Sequence, residues 1–410
     1  MNGDQERTDR YAELVVRVGA NVQPDQQVVV IADVAHVELA RAVAKQAYLA
    51  GASRVEVDYH DPYVRREALR HATVAGLTSV SDWQLARYEE WTTAGIAYIQ
   101  LTGDPDPHLF EDIDPARVML ANPELALRRR RMMLGGRVQW TAVAAPNPGW
   151  AASVFGEPDL ERLWAAVSVA MRLDSDDVVA EWERHRDVLL ARAGVLNELH
   201  LDAVRYHGNG TDLTVGLITD CLWTGGQLTT VGGVAYMPNL PTEEVFTSPD
   251  RRRADGVLRT TRPLVMPAEG VLVEDLEVTF ADGRIVGATA SHGSDAVRAQ
   301  LDSDEGARSL GEISLVEGSS RVRAAGVTFH DTLYDENTGC HVAWGQGFPF
   351  CVPEGLSMTS DDLHDVGLNF SASHTDVVIG GPGVDVDGVT LDGTVIPLIK
   401  DDAWALTEVG

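Results

Sequence analysis

The sequence predicts an α/β chain of two domains: an N-terminal α/β domain with a mostly parallel sheet over 1–198, and a C-terminal β-rich α+β domain over 199–410. Three observations predict it. The chain has 410 residues, which at roughly 100–200 residues per domain makes two or three domains. Near its start, strand, helix and strand patterns follow one another, the βαβ order of a parallel sheet. After about residue 198 helical periodicity fades, and short strands alternate with Gly, Asp and Asn turns.

In chain order, Tyr11–Val22 reads as an amphipathic helix, because Leu14, Val15, Val18 and Val22 recur at helical spacing. Gln27–Asp33 is a short buried strand and His36–Ala50 a helix, ended by Gly51-Ala-Ser. Arg54–Tyr59 is the next strand. The first strand–helix turn holds no Gly-x-Gly-x-x-Gly, so a dinucleotide cofactor is not expected. Ala97–Leu101 and Val138–Ala145 are further strands, the latter stopped by Pro146-Asn-Pro-Gly. Leu160–Met171 and Asp176–Ala193 are helices, the second preceded by the N-cap run Asp174-Ser-Asp-Asp. In the second half, Leu272–Phe280 reads as a strand followed by the turn Asp282-Gly. Asp387-Gly and Asp392-Gly are hairpin-turn signals inside Val384–Val395.

Composition narrows the function classes. Hydrophobic residues make up 44% and charged residues 23%, ordinary for a globular protein. The longest apolar stretches, such as Val28–Ala32 and Ala165–Met171, are too short to span a bilayer. The polar, acidic N-terminus has no signal-peptide pattern, so a cytoplasmic location is expected. With 33 basic against 62 acidic residues the formal charge is -29, a field that repels nucleic acid and anionic membrane and attracts divalent cations or free amines. Three cysteines, Cys221, Cys340 and Cys351, with no CxxC pair, suggest neither a disulfide framework nor a thiolate zinc site.

The residues able to do chemistry lie in four segments of the second half: Pro238–Pro249, Ser309–Val316, Thr332–Ala343 and Asn369–Gly380. In the last, His374 and Asp376 stand two apart before the apolar run Val377-Val-Ile. On a strand, such a pair points to one face and aims an imidazole and a carboxylate into one pocket, a donor set that suits zinc. A hydrogen-bonded surface pair is the alternative. Glu243 and Glu244 follow a Pro-rich turn and read equally as solvated charge. Glu312 sits among apolar neighbours, and a buried lone carboxylate is costly unless paired or bound to metal. His341 lies in a partly apolar setting that a core histidine would also occupy.

Together the four segments resemble the thermophilic aminopeptidase family of metallopeptidases. The resemblance rests on Asn239-Leu-Pro-Thr-Glu-Glu-Val-Phe-Thr, Leu310-Gly-Glu, Asp335-Glu-Asn with Cys340-His341, and Asn369-x-Ser-x-x-His-x-Asp, in the family's order. It extends through Val22–Val30, Ala47–Ala52 and Gly210–Leu217, and so over nearly the whole chain. It implies a homodimer whose C-terminal domain binds two divalent ions, zinc or cobalt, with manganese as an alternative. The implied ligands are Glu244, Glu312, His341, His374 and Asp376, with Glu244 preferred to Glu243 because the family holds the acid directly before Val-Phe. The implied activity is removal of the N-terminal residue from short peptides by metal-assisted hydrolysis, with Glu312 relaying the proton.

Two positions depart from the family. Its tyrosine, seven residues after the third-segment histidine, is Phe348 here, and a phenyl ring cannot donate a hydrogen bond. His330-Asp331 stands where the family more often has Tyr-Asn, which makes His330 a candidate for the missing donor. These departures keep open a specialised metallohydrolase of a peptide-like metabolite. A mononuclear non-heme iron ring-cleaving dioxygenase on a related scaffold is a further alternative, since His341, His374 and Asp376 alone would make its triad.

Overall fold

The β-branched run Gln27–Asp33 forms the middle of a parallel sheet in the computed structural model, which describes residues 3–114, 117–118, 120–266 and 271–406. Arg54–His60 pairs along one edge of this strand and Ala97–Thr102 along the other, followed by Gln139–Ala144, all parallel. A fifth strand, Asn239–Leu240, comes from the second half of the chain and lies parallel to Gln139–Ala144. Two residues are too few to show a period, so no sequence pattern announces it. The N-terminal helix begins at Gly3 rather than Tyr11 and is α-helical to Leu14. A wider turn follows over Val15–Gly19, where Ala20 N–H donates to Val15 O at 2.8 Å. Gly19 is tight against the sheet: a Cβ there would sit 2.8 Å from Thr141 Oγ1.

Val28, Val30, Ile99 and Val143 pack against the helices Gly3–Leu14, Val37–Leu49 and Leu160–Ala170 in one core. Leu240, Phe329 and Tyr334 from the second half belong to the same core. The long helix Val178–Glu198 joins the two halves physically. Its Val178 and Trp182 lie in this core, and its Leu189, Ala193 and Leu196 in the next.

The second half is built on two main sheets, with two short strand pairs beside them. The larger has eight strands in the order Arg284–Thr289, Glu277–Ala281, Pro249–Arg259, Thr211–Leu217, Leu201–Gly208, Asp385–Thr390, Val395–Lys400 and Ala403–Trp404. Asp282-Gly283 makes the expected tight hairpin, with φ of 48° and 77°. Asp392-Gly393 also falls in a turn. Asp387-Gly388 does not: both residues lie inside the strand Asp385–Thr390, paired to Arg205 and Val204 on one side and to Pro397 and Ile396 on the other. Glycine is used there for packing, since a Cβ would stand 2.8 Å from the Leu201 methyl carbons. The stretch Leu272–Phe280 is likewise not one strand. Asp275, at φ 50°, breaks it into Leu272–Val273, paired with Leu264–Val265, and Glu277–Ala281 of the large sheet.

The smaller sheet is antiparallel, with five strands in the order His374–Val378, His341–Gly345, Leu310–Leu315, Val245–Thr247 and Thr224–Gly225. Ile313, Val342, Trp344 and Val377 of this sheet join Val204, Tyr206 and Val215 of the larger one in a common core. The opposite face of the small sheet carries the polar residues of the site.

Candidate metal centre

The register of the small sheet brings the four sequence segments together. Glu312 pairs with Ala343, and Ala343 with Asp376; Ser314 pairs with His341, and Gly345 with His374. Residues paired across antiparallel strands share a face, as do residues two apart along one strand. Glu312, Ser314, His341, His374 and Asp376 therefore all project from one face. Ala343 and Gly345, in the middle strand, leave the space above them open. Glu244, immediately before the strand Val245–Thr247, reaches the same space.

His341 Nε2 lies 3.0 Å from Glu244 Oε2, and His374 Nε2 lies 3.2 Å from Glu312 Oε2 and 3.3 Å from Asp376 Oδ1. Glu244, Glu312, His341 and Asp376 are 4%, 5%, 1% and 9% exposed, so water cannot screen their charges. One ligand atom each from Glu244, Glu312 and His341 lies within 4.8 Å of the others, and the same holds for Glu312, His374 and Asp376. Glu312 is common to both groups.

The surroundings fix which atoms face inward. His374 Nδ1–H donates to the carbonyl of Gln346 at 2.8 Å, and His341 Nδ1–H to that of Gly339 at 3.3 Å. A carbonyl only accepts, so both Nδ1 atoms carry a proton, which leaves the two Nε2 atoms, facing the carboxylates, as the ones that a metal would take on displacing any proton there. Ser314 Oγ–H donates to Glu244 Oε2 at 2.8 Å. Asn369, in the fourth segment, spends its amide on the carbonyls of Gly306, Ser309 and Gly345 and so ties the sheet rim together.

The adjacent acids Glu243 and Glu244 point opposite ways, as successive residues of an extended chain do. Glu243 is taken by Arg172, with Nη1–Oε1 at 2.7 Å and Nη2–Oε2 at 3.1 Å. Glu244 alone faces the site.

Electrostatics in the metal-free chain reflect crowded acids. Burial pushes the Glu312 carboxyl up to about 7; the His374 bond opposes this, and Glu244 and Asp376 add to it. Burial would lower His341, but the bond to Glu244 and the neighbouring carboxylates raise it to about 9. Burial works against Asp376 too, yet His374 beside it holds the carboxyl below the usual range.

These groups open on a cavity of about 200 Å³. Its walls include Trp140 of the N-terminal half, with Leu228, Phe246, Phe348 and Phe350. No lysine or arginine lines it among the described residues. Three buried carboxylates beside two imidazoles, with no lysine or arginine, favour a bound cation, and two carboxylates with one imidazole per group is a donor set for zinc, cobalt or manganese. Phe348 stacks on Phe350 with centroids 5.2 Å apart and tilts against the His374 ring at 5.3 Å. No tyrosine lines the cavity among the described residues. His330 does not replace it: His330 is not among the lining residues, and its Nδ1 instead meets Ser153 Oγ at 3.1 Å and Ser153 O at 3.0 Å. One acid of the cavity carries no role in the sequence reading, Glu336, which is 8% exposed. Its signal was present in the quoted Asp335-Glu-Asn.

A buried His/carboxylate cluster presented by an antiparallel sheet to an aromatic-walled cavity defines a protein built to hold divalent metal. Residues 4–404 match the thermophilic metalloprotease (M29) family, and the chain belongs to that family. It is a metal-dependent peptidase. Among its relatives are "Aminopeptidase T" of Thermus aquaticus, 39% identical over 99% of this chain and 100% of that protein, and "Aminopeptidase 2" of Geobacillus stearothermophilus, 35% identical over 99% of each. The structure of wild-type AmpT from Thermus thermophilus superposes with a TM-score of 0.89 at 36% identity, covering 98% of this chain and 99% of that one.

Proposed function

We propose that the chain is an aminopeptidase with a dinuclear centre, in which Glu244, Glu312 and His341 hold one divalent ion and Glu312, His374 and Asp376 the other. The observation that carries this reading is the membership of Glu312 in both ligand groups across one cavity. Zinc or cobalt fits the donors, with manganese as an alternative. When bound, two such ions supply the Lewis acidity that activates water and polarises a peptide carbonyl. Glu312, between the groups, is placed to carry the proton from the attacking water to the leaving amine. The aromatic walls exclude bulk water and seat an apolar side chain. A cavity of about 200 Å³ suits the end of a short peptide and not a folded chain. The aminopeptidase names of the full-length relatives support the same reading. A homodimer, a cytoplasmic location and a division into domains near residue 198 go with it.

The arrangement disfavours a single iron held by His341, His374 and Asp376. His341 groups with Glu244, while His374 and Asp376 group without it.

The test is release of free amino acids from a panel of short unblocked peptides by metal-free protein reloaded with zinc, cobalt or manganese, with N-acetylated copies as controls. Release requiring both metal and a free N-terminus is expected. No release from any peptide, with two ions demonstrably bound, would move the assignment to hydrolysis of a peptide-like metabolite.

A further inference from the structure

Part of the cavity wall is built by the parallel sheet rather than by the metal cluster. Asn239 pairs with Ala142 at the edge of that sheet, and Trp140 stands two residues before Ala142, so Asn239 and Trp140 project from one face. Both line the cavity. Gln227, on the loop after the strand Thr224–Gly225, and Thr242, two residues before Glu244, line it as well.

These polar groups are neutral and open. The side-chain amides of Gln227 and Asn239, both half-buried, make no hydrogen bond among the described residues. Nor does the Thr242 hydroxyl, on a residue only 2% exposed. Other amides around the site are committed to structure: Asn369 donates to the carbonyl of Gly345 at 2.6 Å, and Gln346 to that of Gly347 at 2.7 Å. A free primary amide offers both a donor and an acceptor, the complement of a peptide group. What the wall lacks is a cation, since no lysine or arginine lines the cavity among the described residues. A carboxylate brought against it would lose water and find no counter-charge on the wall.

We infer that Gln227, Asn239 and Thr242 form a neutral subsite for the peptide main chain beyond the scissile bond, and that the enzyme therefore selects peptides of three or more residues, or peptide amides, over free dipeptides. The inference rests on the aminopeptidase reading and adds to it a chain-length preference. In a dipeptide the residue after the scissile bond ends in a carboxylate, only ~3.5 Å of chain beyond the reacting group. That charge would have to sit against neutral amides. A third residue replaces the carboxylate by a peptide group, whose N–H and C=O match the free amides, and carries the charge a further ~3.5 Å outward. The field of a chain with formal charge -29 acts in the same sense.

The test compares zinc-loaded wild type, Asn239→Ala, Gln227→Ala and Gln227→Lys. Hydrolysis of leucyl-leucine, its amide and trileucine gives kcat and KM separately. Calorimetry with a non-cleavable hydroxyamide analogue of leucyl-leucine, as free acid and as carboxamide, reads the same preference without turnover. Wild type is expected to favour the amide and the tripeptide by on the order of 10–100-fold in kcat/KM, chiefly through KM, and the carboxamide analogue by a similar factor in affinity. Asn239→Ala and Gln227→Ala are expected to lose more on the amide and the tripeptide than on the dipeptide. Gln227→Lys, which puts an ammonium on the same wall, is expected to narrow the gap by raising use of the dipeptide. Equal binding of free acid and carboxamide by wild type would overturn the proposal. So would an unchanged amide-to-dipeptide ratio in Gln227→Lys, or a fall in kcat alone and equal for all three substrates in Asn239→Ala, which would put that amide at the reacting carbonyl. Failure of wild type to cleave any of the three, with the carboxamide analogue still preferred, would instead count against the aminopeptidase reading and leave the subsite standing.

Discussion

Arg172 and Glu243 form a two-pronged ion pair in which each side chain is 6% exposed, one residue before the acid that faces the metal site. The guanidinium lies 4.8 Å over the Trp182 ring, and His185 Nε2 is 3.4 Å from the same carboxylate. The pair fastens the segment that carries Glu244 to the N-terminal half. Removing one partner of such a pair costs about 3–5 kcal/mol, because the other charge stays buried alone. Arg172→Met is expected to lower unfolding free energy in urea by about that amount, and adding Glu243→Gln to recover part of it. A cost below about 1 kcal/mol would show that the pair does not hold the segment.

Ser314 donates to Glu244 Oε2 and so sets which carboxylate oxygen faces His341. Outer partners of this kind are worth about 10–100-fold in metal affinity. Ser314→Ala is expected to weaken one ion by that factor in a chelator competition titration and to leave the other nearly unchanged. Equal weakening of both ions would contradict the assignment of Glu244 to one of the two groups.

Phe348 places a phenyl ring 5.3 Å from the His374 ring, at the position where the family resemblance puts a tyrosine. Phe348→Tyr would add a hydroxyl donor on a half-buried ring without enlarging the core. If that hydroxyl meets the oxyanion, kcat is expected to rise by on the order of 10²-fold with little change in KM. An unchanged kcat would mean that another donor, such as the Asn239 amide on the cavity wall, already fills the role.

The metal-free chain should lose stability as pH rises. Burial holds the Glu312 carboxyl at about 7, above the ~4.3 of an unfolded glutamate. Between those values the folded chain binds a proton that the unfolded chain has released, so raising pH favours unfolding. His341, raised to about 9 by Glu244 and its neighbours against the effect of burial, acts in the same direction between ~6.5 and 9. Asp376, held low by His374, contributes only in acid. The melting temperature of chelated protein is therefore expected to fall steadily from pH 5 to pH 8.5, and reloading with zinc to restore most at the alkaline end. A flat or rising profile would contradict this charge distribution.

The features legible in the sequence were those with a period or a turn rule. The strand runs of the first half were readable, as was the Asp282-Gly283 hairpin. His374 and Asp376 were placed on one face by the two-residue repeat of a strand, and the register shows them there. Glu312 signalled its burial through apolar neighbours. The rest depends on contacts between distant residues. Whether Glu243 or Glu244 faces inward is decided by Arg172, seventy-one positions away, which has φ 56° and no local pattern to reveal it. Asn239–Leu240 becomes a strand only because the edge of Gln139–Ala144 is there to receive it. Gly388 looked like a turn because Asp-Gly usually makes one, while its use here is to clear Leu201. Glu336 stands inside the Asp335-Glu-Asn motif, but a short helical turn has no period to mark it as a residue of the cavity.

The central claim is that Glu312 joins two metal ions held by five side chains. Anomalous diffraction from crystals of the zinc-loaded protein, recorded on both sides of the zinc absorption edge, tests it most directly. The account expects two peaks per chain, one beside Glu244 and His341 and one beside His374 and Asp376, with the Glu312 carboxylate between them. A single peak, or two peaks that Glu312 does not touch, would contradict it.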